Sequence, residues 1–87
     1  MENKIEWTQK AIRELSKIDR RYHTVIRNKV NQLATFPQVN LDVKHLDGST
    51  YRLRHGDYRI FFQYIEEVPK IIKIQKISRR TSQTYKN

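Results

Sequence analysis

Tyr51-Arg52-Leu53-Arg54-His55-Gly56-Asp57-Tyr58-Arg59-Ile60 is the stretch on which the fold turns. Apolar and polar side chains alternate along it, stop at Gly56-Asp57, and alternate again, which predicts a β-hairpin. Successive side chains of a strand point to opposite faces. On the first arm Tyr51 and Leu53 therefore share one face, and Arg52 and Arg54 the other. On the second arm Tyr58, Ile60, Phe62 and Tyr64 share a face, opposite Arg59, Phe61 and Gln63. Joining the two apolar faces in one core gathers Arg52, Arg54 and Arg59 on the far side. Guanidinium groups held on strands define an anion site better than groups on a loop, because their positions are fixed. The aromatic residues of the apolar face are read as core. Phe61 and Ile77 fall on the arginine face and are expected to floor a groove there.

Before the hairpin, Lys4 to Trp7 is a short strand candidate, with Ile5 and Trp7 on one face. Thr8 is a good helix N-cap, and Gln9 to Ile18 places Ala11, Ile12, Leu15 and Ile18 at helical spacing. Asp19 can cap a second helix whose apolar stripe is Tyr22, Val25, Ile26, Val30, Leu33 and Ala34. Phe36-Pro37 ends it, since proline disfavours helical geometry in the residue before it. Residues 38–49 read as a loop, anchored by Leu46 and turning at Asp47-Gly48-Ser49. Three strands follow, at about 50–55, 58–66 and 70–78. Strict alternation in the last sets Ile72 and Ile74 against Ile71, Lys73, Gln75, Ile77 and Arg79. The tail from Thr81 is polar, with room for one helical turn near Tyr85. The expected fold is α+β, in the order β-α-α-β-β-β: a twisted antiparallel sheet with a two-helix hairpin on one face.

A chain of 87 residues makes one domain, 1–87, with no room for a second core. It carries 18 Lys and Arg against 9 Asp and Glu, a formal charge of +9. Such an excess favours polyanionic partners. It is also uneven: from Lys70 to Asn87 there are six basic residues and no acid. There are no cysteines, so neither disulfides nor thiolate metal sites are available. Three histidines without paired spacing give no support for a metal. No apolar run approaches the roughly 20 residues needed to cross a bilayer, and no signal-peptide core opens the chain. A cytoplasmic protein with no membrane contact, metal or small-molecule cofactor is expected.

Three segments resemble the RelE/ParE superfamily of toxins from bacterial toxin–antitoxin pairs. They are Ile5-Glu6-Trp7-Thr8 with Ala11 and Leu15, the central hairpin with Tyr64, and Ile77-Ser78-Arg79-Arg80 with Tyr85. The resemblance spans nearly the whole chain. RelE-like members are metal-independent ribonucleases that cut messenger RNA in the ribosomal decoding site, by attack of a ribose 2′-hydroxyl on the adjacent phosphate. It implies Arg52, Arg54, Arg59, Arg79 and Tyr85 as catalytic residues; Arg52, Arg54, Phe61, Arg80 and Lys73 are expected as RNA contacts. It also implies an acidic antitoxin, the ribosome and mRNA as partners. ParE-like members share the fold and act on DNA gyrase; that activity, and a non-catalytic RNA-binding module, are the competing expectations. Fixed guanidinium groups suit the nuclease, since in-line attack loads negative charge onto the phosphate oxygens. Arginine stays protonated, however, so either Tyr85 or His55 takes a proton, or catalysis rests largely on positioning and electrostatics within a composite ribosomal site.

Overall fold

The computed structural model describes residues 2–79; Arg80 and Tyr85 lie outside the described residues. Strand β1 (Lys4–Trp7) leads into helix α1 (Gln9–Ser16), and a 3-10 turn (Arg20–Tyr22) leads into helix α2 (His23–Asn31). Four further strands follow: β2 (Val43–Asp47), β3 (Thr50–His55), β4 (Tyr58–Ile65) and β5 (Ile71–Arg79). With β1 they form one five-stranded sheet in the order β1-β5-β4-β3-β2, and both helices lie on one side of it. The α+β layout and the hairpin are as the sequence implies. No helix among the described residues is long and apolar enough to cross a membrane.

The helix starts obey local chemistry. Thr8 caps α1 by accepting from the Ala11 N–H at 3.2 Å. Asp19 accepts from the Arg21 N–H at 3.0 Å and so starts the 3-10 turn instead of a long helix. At the central hairpin Gly56 has φ +59°, a left-handed conformation in which a side chain is strained. Ala11, Leu15, Ile26, Val30 and Leu33 from the helices meet Leu53, Ile60, Phe62, Ile72 and Ile74 from the sheet. Phe36 closes the core with its ring edge-on to Phe62 and Tyr64, at centroid distances of 5.4 and 5.0 Å.

Three features depart from the sequence reading. The first is β2, which occupies part of the segment that reads as a loop in sequence. Leu46 is exposed there and anchors nothing, while Val39, Leu41 and Val43 pack on the core instead. The second is that β1 runs parallel to β5, so the sheet is mixed and not wholly antiparallel. Asn3 locks the entry to β1 by donating its amide to the Leu33 and Phe36 carbonyls, at 3.0 and 2.8 Å. The third is a bulge in β5. Phe61 pairs with Lys76 but Phe62 pairs with Ile74, so Gln75 is an extra residue.

That bulge inverts the end of the strand. After Gln75, Ile77 turns to the helices and is buried, and Arg79 shares its side, opposite Tyr58. The expectation that Ile77 and Arg79 lie on the arginine face is therefore corrected. Helix α1 and its cap grip the bulge at both ends. The Thr8 hydroxyl donates to the Ile74 carbonyl at 2.8 Å, and Glu14 accepts from the Ile77 N–H at 2.7 Å.

Candidate functional site

The face of the sheet away from the helices is organised in rows, because paired residues on neighbouring strands share a side. Arg54 pairs with Arg59, and Arg59 with Ser78. In the adjoining row Lys44 pairs with Arg52, Arg52 with Phe61, and Phe61 with Lys76. Beyond it lie Thr50, Gln63, Lys73 and Glu6. Arg52, Arg59 and Phe61 are half-buried, whereas Arg54, Lys44 and Lys76 are exposed. The Lys76 ammonium sits 4.8 Å from the centre of the Phe61 ring.

Arg52, Arg54, Arg59, Phe61 and Lys73 all reach this open face. Its charge is less unbalanced than the sequence suggested. Arg54 leans to the sheet edge and donates through Nε to Asp42 at 2.8 Å, and Glu6 stands opposite Lys73. Arg52 and Arg59 differ. The Nε of each is enclosed without any hydrogen-bond partner among the described residues. An enclosed donor left unpaired costs about 1–3 kcal/mol, and such a group in a folded protein calls for an explanation, a ligand being one.

Arg79 lies elsewhere. Its guanidinium is 5.8 Å from the centre of the Tyr58 ring, which in turn is 5.6 Å from that of Tyr22. These three, with Glu14, Lys17 and Arg21, line a groove of about 420 Å³ between α1, the 3-10 turn and the end of β5. The Arg21 backbone N–H, and then its guanidinium, hold the Asp19 carboxyl below its ordinary pKa at the rim of that groove. His55 lies close by, with Tyr22, Gly56 and Tyr58 around a neighbouring hollow. The proposed set thus divides between two sides of the sheet, while Arg80 and Tyr85 fall outside the described residues. Sequence reading missed Lys44 and Lys76, the first hidden in an assumed loop and the second by strict alternation through Gln75.

Residues 5–83 match the family model of the ParE toxin of the type II toxin–antitoxin system parDE. The chain belongs to the RelE/ParE superfamily of type II toxins. Solved structures agree on the fold of this toxin. The archaeal RelE–RelB complex from Pyrococcus horikoshii superposes with a TM-score of 0.78 at 24% identity, covering 94% of this chain and 99% of that one. A RelB–RelE toxin–antitoxin complex from Mycobacterium tuberculosis gives 0.76 at 21% identity, over 92% and 100% of the two chains. Isolated RelE from Escherichia coli gives 0.76 at 14% identity, over 95% and 90%. No curated protein matches the chain.

Proposed function

We propose that this toxin is a metal-independent endoribonuclease that cleaves mRNA in the decoding site of the ribosome and so stops translation. The reading is carried by Arg52 and Arg59, two half-buried guanidinium groups on adjacent strands with unpartnered Nε atoms. In the proposed reaction a ribose 2′-oxygen attacks the neighbouring phosphorus and the 5′-oxygen departs. Negative charge builds on the phosphate oxygens, and fixed guanidinium donors stabilise that state more than the ground state. Arg54 reinforces them once it leaves Asp42. By the family resemblance Arg79, Arg80 and Tyr85 approach the RNA from the strand end and the tail. The 2′-hydroxyl loses a proton and the leaving oxygen gains one; protonated arginines do neither, so Tyr85 is the proposed carrier.

The partner that restrains the toxin is proposed to be a small acidic antitoxin, matched to the charge of +9. Two of the similar structures, from Pyrococcus horikoshii and Mycobacterium tuberculosis, are complexes of a RelE toxin with its antitoxin, which supports that reading. A second reading, a ParE-like block of DNA gyrase, is favoured by the ParE family model and by the separation of Arg79 from Arg52. One experiment divides them. The purified toxin is given to a reconstituted translation system and, separately, to gyrase with plasmid DNA. Cleaved mRNA that depends on ribosomes is expected; unimpaired translation with broken or relaxed plasmid would overturn the nuclease.

A further inference from the structure

The row Lys44–Arg52–Phe61–Lys76 stands apart from its neighbours on the open face. It crosses four strands, β2 to β5, in direct register. Strands lie about 4.8 Å apart, so its ends are roughly 14 Å from each other. Adjoining rows carry an acid, Asp42 beside Arg54 and Glu6 opposite Lys73. This one has none. Lys44 and Arg52 are cross-strand neighbours of like charge, a placement that repels and that a purely structural sheet avoids. One aromatic ring, Phe61, stands between Arg52 and Lys76; the apolar pair Ile65 and Ile71 on this face lies two rows away.

We propose that this row is a track for single-stranded RNA, running across the strands. The Phe61 ring stacks a base, and Lys44, Arg52 and Lys76 hold successive phosphates. The inference rests on the nuclease reading and adds to it two contacts, Lys44 and Lys76, and a direction for the substrate. Stacking on an aromatic face is indifferent to base identity, and the flanking cations contact only the backbone. The track therefore grips RNA with little sequence preference. In the free toxin the Lys76 ammonium covers the Phe61 face at 4.8 Å. On binding it gives that face to a base and moves to phosphate, exchanging one favourable contact for another. Two structural devices build the track. Strand β2 brings Lys44 into line, and the Gln75 bulge turns Lys76 outward while Arg79 goes to the opposite side.

The test measures binding of a fluorescent RNA oligonucleotide, 2′-O-methylated so that it cannot be cut, over a range of salt starting near 50 mM. Lys44→Gln, Lys76→Gln and Arg52→Gln are each expected to flatten the plot of log affinity against log salt by about 0.7, the value of one lost single-strand phosphate contact. Phe61→Leu is expected to weaken binding about tenfold with an unchanged slope. Lys10→Gln, exposed on α1, is the control and moves neither. If Arg52→Gln flattens the slope while Lys44→Gln and Lys76→Gln do not, the track is wrong and the nuclease reading stands. If the parent toxin does not bind the oligonucleotide, the track falls, while the nuclease reading is decided separately by ribosome-dependent cleavage. Variants that bind RNA normally but lose an acidic antitoxin peptide would reassign the row to protein recognition and overturn the track.

Discussion

The two faces of the sheet are made by the same strands and answer to different physics. On the helix side every position from Tyr58 to Tyr64 in β4 that points inward is buried, and Phe36, Phe62 and Tyr64 meet edge to face. Among the described residues no enclosed side-chain polar atom on that face lacks a partner. On the open side the alternate positions Arg59, Phe61 and Gln63 are half-buried, and Arg52 and Arg59 keep an enclosed N–H unpaired. Packing explains the first face. The second carries charge that folding alone does not require, which is the mark of a surface shaped by what it binds.

The largest effect should come from the packed face. Ile60 is fully buried at the centre of the core, so Ile60→Ala should cost roughly 2–5 kcal/mol, much of the stability of a small domain. Urea denaturation of the toxin measures it. On the open face, Arg59→Ala should do the reverse. Its unfolding midpoint should stay close to the parent's, because an unpaired donor is removed, while mRNA cleavage on ribosomes falls on the order of 10²–10³-fold. A variant that unfolds and also stays fully toxic per folded molecule would erase the distinction between the faces.

Strand β5 shows why the contrast was only partly legible from the sequence. The β3–β4 hairpin declares itself because each arm keeps a strict period of two and the turn needs a glycine. A bulge leaves no such trace: Gln75 is an ordinary strand residue, and only the pairing of Phe61 with Lys76 and Phe62 with Ile74 reveals it. Counting through it by twos sent Ile77 and Arg79 to the wrong side. Strand β2 was hidden for another reason. As an edge strand it has Val43 half-buried and Lys44 to Asp47 exposed, so burial imposes almost no pattern on its sequence. The parallel pairing of β1 depends on distant partners, Ile71 to Ile74, and local periodicity is silent about it. Arg52 and Arg59 were found because they sit in the one region where pattern and register coincide.

Deleting Gln75 probes the bulge itself. Without it Lys76 follows Ile74 directly, so plain alternation keeps Lys76 outward and Ile77 inward, and Glu14 keeps the Ile77 N–H that it now accepts at 2.7 Å. The deletion should therefore cost less than Ile60→Ala, read again by denaturation. If it destabilises as much as Ile60→Ala, Gln75 is not a simple extra residue and the pairing on either side depends on it.

The smallest effect lies at the boundary between the faces, in the ion pair of Arg54 and Asp42. Both side chains are about half exposed, at 47% and 49%, and their Nε–Oδ2 distance is 2.8 Å. Such a pair contributes less than about 1 kcal/mol, so Asp42→Asn should barely move stability; the backbone contact from the Arg54 N–H to the residue 42 carbonyl, at 2.9 Å, survives the change. Its consequence should appear in binding. Relieved of its carboxylate, Arg54 becomes free to take a phosphate, and the salt slope for an uncleavable RNA should steepen by up to about 0.7. An unchanged slope would put Arg54 outside the path of the RNA and narrow the anion site to Arg52 and Arg59. A weaker complex would mean that Asp42 holds Arg54 where the RNA needs it, and the pair would then belong to the working face.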